Sequence, residues 1–280
     1  MRFSKYHGAG NDFVVIDARE LDVAWDALAA RMCDRHFGVG SDGLILVLES
    51  RHADLRMRMF NPDGSEAEAC GNGLRCFVKF AVDRGMVSCR EFDVDTLSGI
   101  RHATTFTEEN AGVTEAMVGM GVPRFLPEEI PALAPPSQGP IVRAELSAEG
   151  RAVSVCLVSM GNPHAVSFVA EDVAGFPLEQ VGPAVEHHPM FPARVNFEIA
   201  RVLGRHEIQC RVWERGASET LACGSGACAV AAAAQLLGYC DAGVRVQLPG
   251  GVLTVSWEGG GHEVLLRGPV EHVFDGEWPD

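Results

Sequence analysis

Residues Ser65–Cys76 read SEAEACGNGLRC, and residues Ser218–Ala229 read SETLACGSGACA. Both contain Ser-Glu-x-x-Ala-Cys-Gly-x-Gly. Laying the second cysteine on the first requires a shift of 153 (223 − 70), and the same shift aligns the flanking sequence. LRMRMF, Leu55 to Phe60, falls on IQCRVW, Ile208 to Trp213. Leu55, Met57 and Met59 alternate with arginines, and Ile208, Cys210 and Val212 alternate in the same phase, which is strand periodicity. Polar turns follow, NPDGSE and ERGASE. After each cysteine comes an apolar helical pattern, Leu74, Phe77, Val78, Ala81 and Val82 in the first copy and Val230, Ala233, Ala234 and Leu237 in the second. Gly85 and Gly238, again 153 apart, stand where helix C-terminal caps are expected.

A weaker echo pairs GAGNDFVVID, with Gly10 and Asn11, and SMGNPHAVSFV, with Gly161 and Asn162. The chain therefore reads as an internal duplication. LILVLE, EFDVDT, VTEAMVGM, VSVCLVSM, VRVQLP, VLTVSW and HEVLLRG have strand character, and LPGGV suggests an antiparallel hairpin. The expected fold is α+β: two pseudo-symmetric lobes, each a strand-rich, mostly antiparallel shell around one central helix, with the active site in the cleft between them. The expected boundaries are 1–121 for the first lobe and 122–267 for the second, and the proline-rich stretch Pro123–Pro140 reads as a linker or crossing segment.

The bulk numbers narrow the function. The 280 residues are 47% hydrophobic and 22% charged, enough for a sizeable core. A net charge of −15 argues against nucleic acid and anionic membrane surfaces as partners. The N-terminal stretch MRFSKYHGAGNDF has no apolar run suited to a signal peptide, and no stretch of about 18 apolar residues is present. The expected location is cytoplasmic, where an odd cysteine count of nine does not suggest a disulfide framework. Lys5 and Lys79 are the only lysines. Neither sits in a phosphate-binding context, so a pyridoxal Schiff base is not expected, and no cofactor is.

Cys70 and Cys223 each stand just before a helix. Unpaired N–H groups and the positive end of the dipole there should lower a thiol pKa from about 8.5 toward neutrality. Glycines 71, 73, 224 and 226 let the backbone approach a carboxylate. Two such sites facing one bound molecule suit inversion at carbon: one thiolate removes a proton from one face and the other thiol supplies one to the opposite face. Rival readings are a thiol redox pair, a metal site drawing on Cys70/Cys76 or Cys223/Cys228, and a structural duplication with inert buried cysteines. No Cys-x-x-Cys spacing supports metal.

The ordered motifs FSKYHGAGNDFVVID, RHFGVGSDGLILV, FNPDGSEAEACGNGLRC, SMGNPHAV, RVNFEIA, VWERGASETLACGSGACA and LPGG resemble the diaminopimelate epimerase family over essentially the whole chain. The resemblance implies cofactor-independent interconversion of LL- and meso-2,6-diaminopimelate, in lysine and peptidoglycan precursor synthesis. It implies a C-terminal tail, about 268–280, that returns to the first lobe, and a homodimer. By the same resemblance Cys70 and Cys223 are the catalytic pair, with His164 and Glu214 placed to tune it. Gly71, Asn72, Gly224 and Ser225 hold the reacting carboxylate. Asn11, Asn61, Asn162, Asn196, Glu214 and Arg215 bind substrate. Some members have glutamine where Gly43 stands, so a side-chain contact is lost there. A racemase or epimerase of another amino acid is the nearest alternative. Plainer roles also stand open: His164 as a cap on the Gly-Asn-Pro turn, Arg215 paired with Glu219, Asn11 and Asn196 as turn residues. His36 reads as structural.

Overall fold

The structure, a computed structural model, describes residues 1–67, 70–108, 112–134 and 141–279. Two residues of the first cysteine repeat and the end of the proline-rich segment, 135–140, lie outside the described residues. Contacts divide the chain into two compact units, Met1–Gly119 with Arg267–Asp280, and Met120–Leu266.

The first unit contains β1 (Arg2–Gly8), β2 (Asn11–Asp17), α1 (Trp25–Cys33), β3 (Gly43–Leu48), β4 (Leu55–Phe60), β5 (Glu66–Ala67), α2 (Gly71–Asp83), β6 (Glu91–Thr96), β7 (Gly99–Glu108) and β8 (Gly112–Gly119). The second contains β9 (Val142–Ala148), β10 (Arg151–Ser159), β11 (Pro163–Phe168), α3 (Leu178–Glu186), β12 (Asn196–Gly204), β13 (Glu207–Glu214), β14 (Ser218–Thr220), α4 (Gly224–Leu236), β15 (Gly243–Leu248) and β16 (Gly251–Ser256). The chain then runs through β17 (Leu265–Pro269) into β18 (Glu271–Glu277), which pairs antiparallel with β1.

The pairing pattern is written twice. An antiparallel hairpin, β1–β2 or β10–β11, leads to a parallel pair, β2–β3 or β11–β12. An antiparallel pair follows, β3–β4 or β12–β13, then a second parallel pair, β4–β6 or β13–β15. A hairpin closes the series, β6–β7 or β15–β16. The sheets are thus mixed, antiparallel pairs outnumbering parallel ones. Parallel neighbours need a crossing connection, and this is the origin of α1 and α3, two helices beyond the one per half that the apolar pattern marks.

Each unit packs both faces of its sheet. In the first, α1 lays Leu28, Ala29 and Met32 against Val14, Ile16, Leu44 and Leu46. In the second, α3 lays Leu178, Val181 and Val185 against Phe197 and Ile199. The central strands are covered on both sides, so they read as unbroken apolar runs such as FVVI and LILV. The inner helices are enclosed. Every α2 residue from Gly71 to Ala81 is buried, and in α4 Gly226 through Ala234 are. Both end in the same cap. Gly85 (φ 65°) donates to Val82 O while Met86 donates to Ala81 O; Gly238 (φ 73°) donates to Gln235 O while Tyr239 donates to Ala234 O. A left-handed residue is required there, and glycine takes it without a Cβ clash.

The proline-rich segment, expected as a linker or crossing segment, is not a free linker over its described part. Arg124 bridges Ser159 through both backbone groups, and Ile130 is fully buried in the core of the second unit. Its described part is packed structure.

Candidate active site

Both cysteines of the repeat are N-caps with extended backbone. Cys70 heads α2 and Cys223 heads α4. The caps are alike in backbone, but only the Cys223 sulfur takes the cap bond from its helix, and the surroundings of the two sulfurs differ.

Cys70 Sγ lies 3.6 Å from Asn11 Oδ1, and Asn72 Nδ2 donates to the same oxygen at 3.2 Å. The Asn11 amide is oriented from behind. Its Nδ2 donates to Asp42 Oδ2 at 2.6 Å; an ionised carboxylate only accepts, so the amide oxygen is left to face the sulfur. Arg35 joins Asp42 to Asp12 and braces the loop. One turn into the helix, the fully buried Arg75 donates to Asn72 Oδ1 at 2.9 Å and to Gly71 O at 3.4 Å. A guanidinium therefore stands behind the first cysteine.

Cys223 has acidic neighbours. Its Sγ accepts from Gly226 N–H at 3.3 Å, the bond a serine or threonine cap would make. Ser225 Oγ lies 3.5 Å from the same sulfur. The Glu214 side chain is in hydrogen-bond contact with Cys223 and accepts from Thr220 Oγ1. Asn162 Nδ2 donates to Ser225 Oγ at 3.3 Å. His164, completely buried, places Nε2 2.9 Å from Asn162 Oδ1 and Nδ1 2.6 Å from Glu198 Oε1. His164 thus touches the Gly-Asn-Pro turn, as a cap would, and also binds a buried carboxylate.

The thiol of Cys223 departs from the expected lowering. Burial raises its pKa well above the ordinary thiol value, and the charges of Glu214 and Glu198 raise it further; the bonds from Ser225 and Gly226 only partly offset this. The two carboxylates and the loss of solvent outweigh the helix terminus. Burial also raises Glu214, against the opposing bonds to Thr220 and Cys223 and the nearby His164. Cys223 at rest is therefore a thiol, facing a carboxylate that can accept its proton.

The other expected residues separate into two groups. Asn196 spends its amide on backbone, donating to Pro163 O at 2.9 Å and accepting from Arg215 N at 2.9 Å. Asn61 bonds Ser65 within its own turn. Arg215 is exposed, and its side chain donates to Ala193 O at 3.2 Å. Glu219 instead takes a two-point pair with Arg211, at 2.8 and 2.9 Å, so the Arg215–Glu219 alternative does not hold. At Gly43 a Cβ would come within 2.9 Å of Phe60 O, so any side chain there needs the backbone to shift. His36 is exposed, at a turn where its backbone N–H bonds Asp34. The buried Cys76 thiol is pushed far up by desolvation, as is Cys210. Among the described residues no three His, Cys, Asp or Glu side chains are grouped as a metal site needs.

Sequence reasoning passed over Glu198, Thr220 and Asp42. For Glu198 a signal was present. It is a charged residue between Phe197 and Ile199, and the 153 shift sets it on Ile45.

The family model described as "Diaminopimelate epimerase" matches residues 3–126 and 156–273. The chain is 45% identical over 283 residues to the diaminopimelate epimerase of Heliobacterium modesticaldum, covering all of both chains. It is 48% identical over 282 residues to that of Pelotomaculum thermopropionicum, covering 100% of this chain and 99% of that one. Among solved structures, a phenazine biosynthesis protein from Bacillus anthracis matches with TM-score 0.72 at 19% identity, covering 100% and 99% of the two chains. A hydroxyproline epimerase from Agrobacterium vitis, with bound trans-4-hydroxy-L-proline, matches with TM-score 0.72 at 15% identity, covering 99% and 90%. These structural likenesses establish the fold. With the full-length identity and the family match, they make this chain a member of the diaminopimelate epimerase family.

Proposed function

We propose that the chain interconverts LL- and meso-2,6-diaminopimelate by proton transfer at one α-carbon, without a cofactor, with Cys70 and Cys223 as the two acid–base groups. The observation that carries the mechanism is the repeated N-cap cysteine in two unlike settings. Cys70 faces an amide oxygen with a guanidinium behind it, and Cys223 is a protonated thiol beside Glu214. At rest Cys70 Sγ donates to Asn11 Oδ1 and Cys223 is a thiol as well; in turnover one of the two gives up its proton to become the base while the other keeps one to give. The substrate is supported by the family to which the chain belongs. The test is incubation of the purified protein with LL-diaminopimelate in metal-chelated, cofactor-free buffer, with the stereoisomers separated by chiral chromatography. The meso form accumulates to equilibrium. No conversion under reducing conditions would defeat the reading.

The helix heads at Gly71–Asn72 and Gly224–Ser225 turn the positive ends of their dipoles to the carboxylate of the reacting centre, where negative charge grows as the α-proton leaves. The far end of the substrate carries a second carboxylate and ammonium. We assign the carboxylate to Arg215, held in place through its backbone bond to Asn196, and the ammonium to Glu214 and the amides of Asn11, Asn61 and Asn162. Arg215→Lys keeps the charge and loses the two-point fork. The expected result is a fall in kcat/KM of about a hundredfold, mostly in KM, with an unchanged melting temperature. Steady-state kinetics within threefold of wild type would remove Arg215 from the substrate.

A cytoplasmic homodimer completes the reading. Thiol acid–base chemistry needs a reducing compartment. On β18, Val273 and Phe274 are 51% and 44% exposed, an apolar surface suited to a second copy. Among the described residues no helix is long and apolar enough to cross a membrane.

A further inference from the structure

The two units use equivalent positions differently. In strand register His164 pairs with Asn196 as Phe13 pairs with Gly43. Two residues on, Glu198 stands opposite Val166 as Ile45 stands opposite Val15. The inner helices confirm the equivalence. A Cβ on Gly73 of α2 would touch Ile45 at 3.2 Å and Phe13 at 3.4 Å; a Cβ on Gly226 of α4 would meet Glu198 Oε1 at 2.8 Å. Where the first unit has an apolar pair beneath its cysteine helix, the second has a histidine and a glutamate, both with 0% side-chain exposure. Burying two ionisable groups is costly, and an apolar pair of similar volume is often neutral or stabilising by comparison. The first unit shows that this fold accepts such a pair. Glu198 Oε2 is also buried with no hydrogen-bond partner, a further cost. Stability does not account for the pair.

Proton counting supplies an account. Asn162 Nδ2 faces Ser225, so its Oδ1 faces His164 Nε2, which must then carry a proton. His164 Nδ1 faces a carboxylate at 2.6 Å, and an ionised carboxylate accepts only, so Nδ1 carries a proton too. The Ser225 hydroxyl accepts from Asn162, which leaves its own hydrogen for Cys223 Sγ at 3.5 Å. Every donor in the chain then points toward the sulfur: His164 to Asn162, Asn162 to Ser225, Ser225 to Cys223, joined by Gly226 N–H. If the ring held one proton, on Nδ1, Asn162 would turn its amide to donate to Nε2 and its oxygen would draw the serine hydrogen away from sulfur.

We propose that Glu198 is a positioning residue that holds His164 as an imidazolium and so orients the Asn162–Ser225 hydrogen bonds toward Cys223 Sγ, stabilising the thiolate formed when that thiol gives up its proton. Among the described residues, the other titratable groups coupled to the pair are Glu214 and Cys210 on β13 and Cys223 itself at the head of α4. Glu214 receives the thiol proton, and the oriented donors hold the charge left behind. The catalytic meaning rests on the epimerase reading; the hydrogen-bond orientation does not.

Two measurements on the substrate-free protein test the orientation. The ¹⁵N shifts of His164 at pH 7.5 report whether one or both ring nitrogens are protonated. Imidazolium shifts are expected in wild type, and a singly protonated ring in the wild-type protein overturns the proposal whatever any variant does. The second is Glu198→Gln, which keeps shape and acceptor oxygen and removes the charge. His164 becomes singly protonated, the chain of donors turns round, and alkylation of Cys223 by iodoacetamide, read by peptide mass spectrometry, falls about tenfold at fixed pH as its profile moves up by about one pH unit. Cys70 alkylation in the same sample stays unchanged. If Glu198 acted through its negative charge alone, removing it would ease thiolate formation and Cys223 would react faster, so a rise overturns the proposal. Inversion of diaminopimelate by Glu198→Gln is expected to lose about ten- to a hundredfold in kcat with KM within threefold. Absence of inversion in wild type would instead strike the proposed function, leaving the shift and alkylation results to stand or fall separately.

Discussion

Replacing Cys223 by serine, or Cys70 by serine, stops inversion while leaving the fold intact. The fold is spared because each cysteine is an N-cap, and serine is among the preferred caps. Cys223 Sγ already accepts from Gly226 N–H as a serine oxygen would. The melting temperature therefore stays level or rises slightly. The chemistry is lost because a serine hydroxyl is a far weaker acid than a thiol, and neither Glu214 nor the donors around Cys223 bridge that gap. Losing one general acid–base group costs about 10²–10⁴ in rate, and in the two-base mechanism proposed above each direction of inversion uses both. The two variants should nevertheless differ. In Cys223→Ser, Cys70 can still remove a proton and return one on its own face, so one stereoisomer exchanges its α-hydrogen with solvent without inverting; in Cys70→Ser the opposite isomer does. Chiral chromatography follows inversion, and mass spectrometry of each isomer in heavy water follows exchange. Inversion above about a tenth of the wild-type rate in either variant would remove that cysteine from the reaction.

The same reaction has a pH dependence that the structure orders. Cys223 and Glu214 are both raised, by burial first, and Glu214 also feels the opposing pull of Thr220, Cys223 and His164. Where Cys223 acts as the acid, its thiol is already protonated at neutral pH. The direction in which it is the base depends on Glu214 being ionised to receive the proton, and that falls away as pH drops through the raised Glu214 value. The acid limb of that direction should lie above the usual carboxylate range.

Much of this arrangement was legible because the sequence repeats. An offset of 153 between the two cysteine motifs placed both thiols at helix heads, and the glycines at 85 and 238 marked where those helices end. The hairpins announced themselves in LPGG and in alternating strands such as LRMRMF. The crossing helices did not. α1 starts after Ala24, which gives it no side-chain cap, and α3 carries Gly182 and Pro183 within nine residues. Local propensity argues against both; they form because the β2–β3 and β11–β12 pairs are parallel and the chain must cross the sheet to make them. The sign of the Cys223 shift was hidden for a similar reason. A motif shows the helix terminus next to the thiol, and it does not show Glu198 arriving from a strand 25 residues upstream (223 − 198). Comparing the halves position by position, including where they disagree, would have exposed Glu198 against Ile45 and His164 against Phe13.

The disagreement between the halves also bears on why two cysteines are present. A single base that swung across the substrate would need one thiol in one environment. Here Cys70 has an amide oxygen and a guanidinium behind it, and Cys223 has two carboxylates and a histidine. Such different surroundings suit two groups that lose their protons by different routes, Cys223 to Glu214 and Cys70 past Asn11. The consequence is isotopic. In heavy water the donating thiol carries deuterium, so each molecule inverted takes solvent label at its new centre. The proton removed from substrate sits on the opposite face, out of reach of the product and held briefly by the accepting sulfur. At low conversion the product should carry close to one deuterium per molecule and the recovered substrate almost none, from either the LL or the meso side. A single-base enzyme hands the same exchangeable proton back to either face and labels substrate and product alike. The measurement is mass spectrometry of both isomers after separation, at less than about a tenth of the approach to equilibrium. Substrate labelled to an extent comparable with product in the wild-type protein would end the two-base account of Cys70 and Cys223, while loss of that pattern in either serine variant is what the account requires.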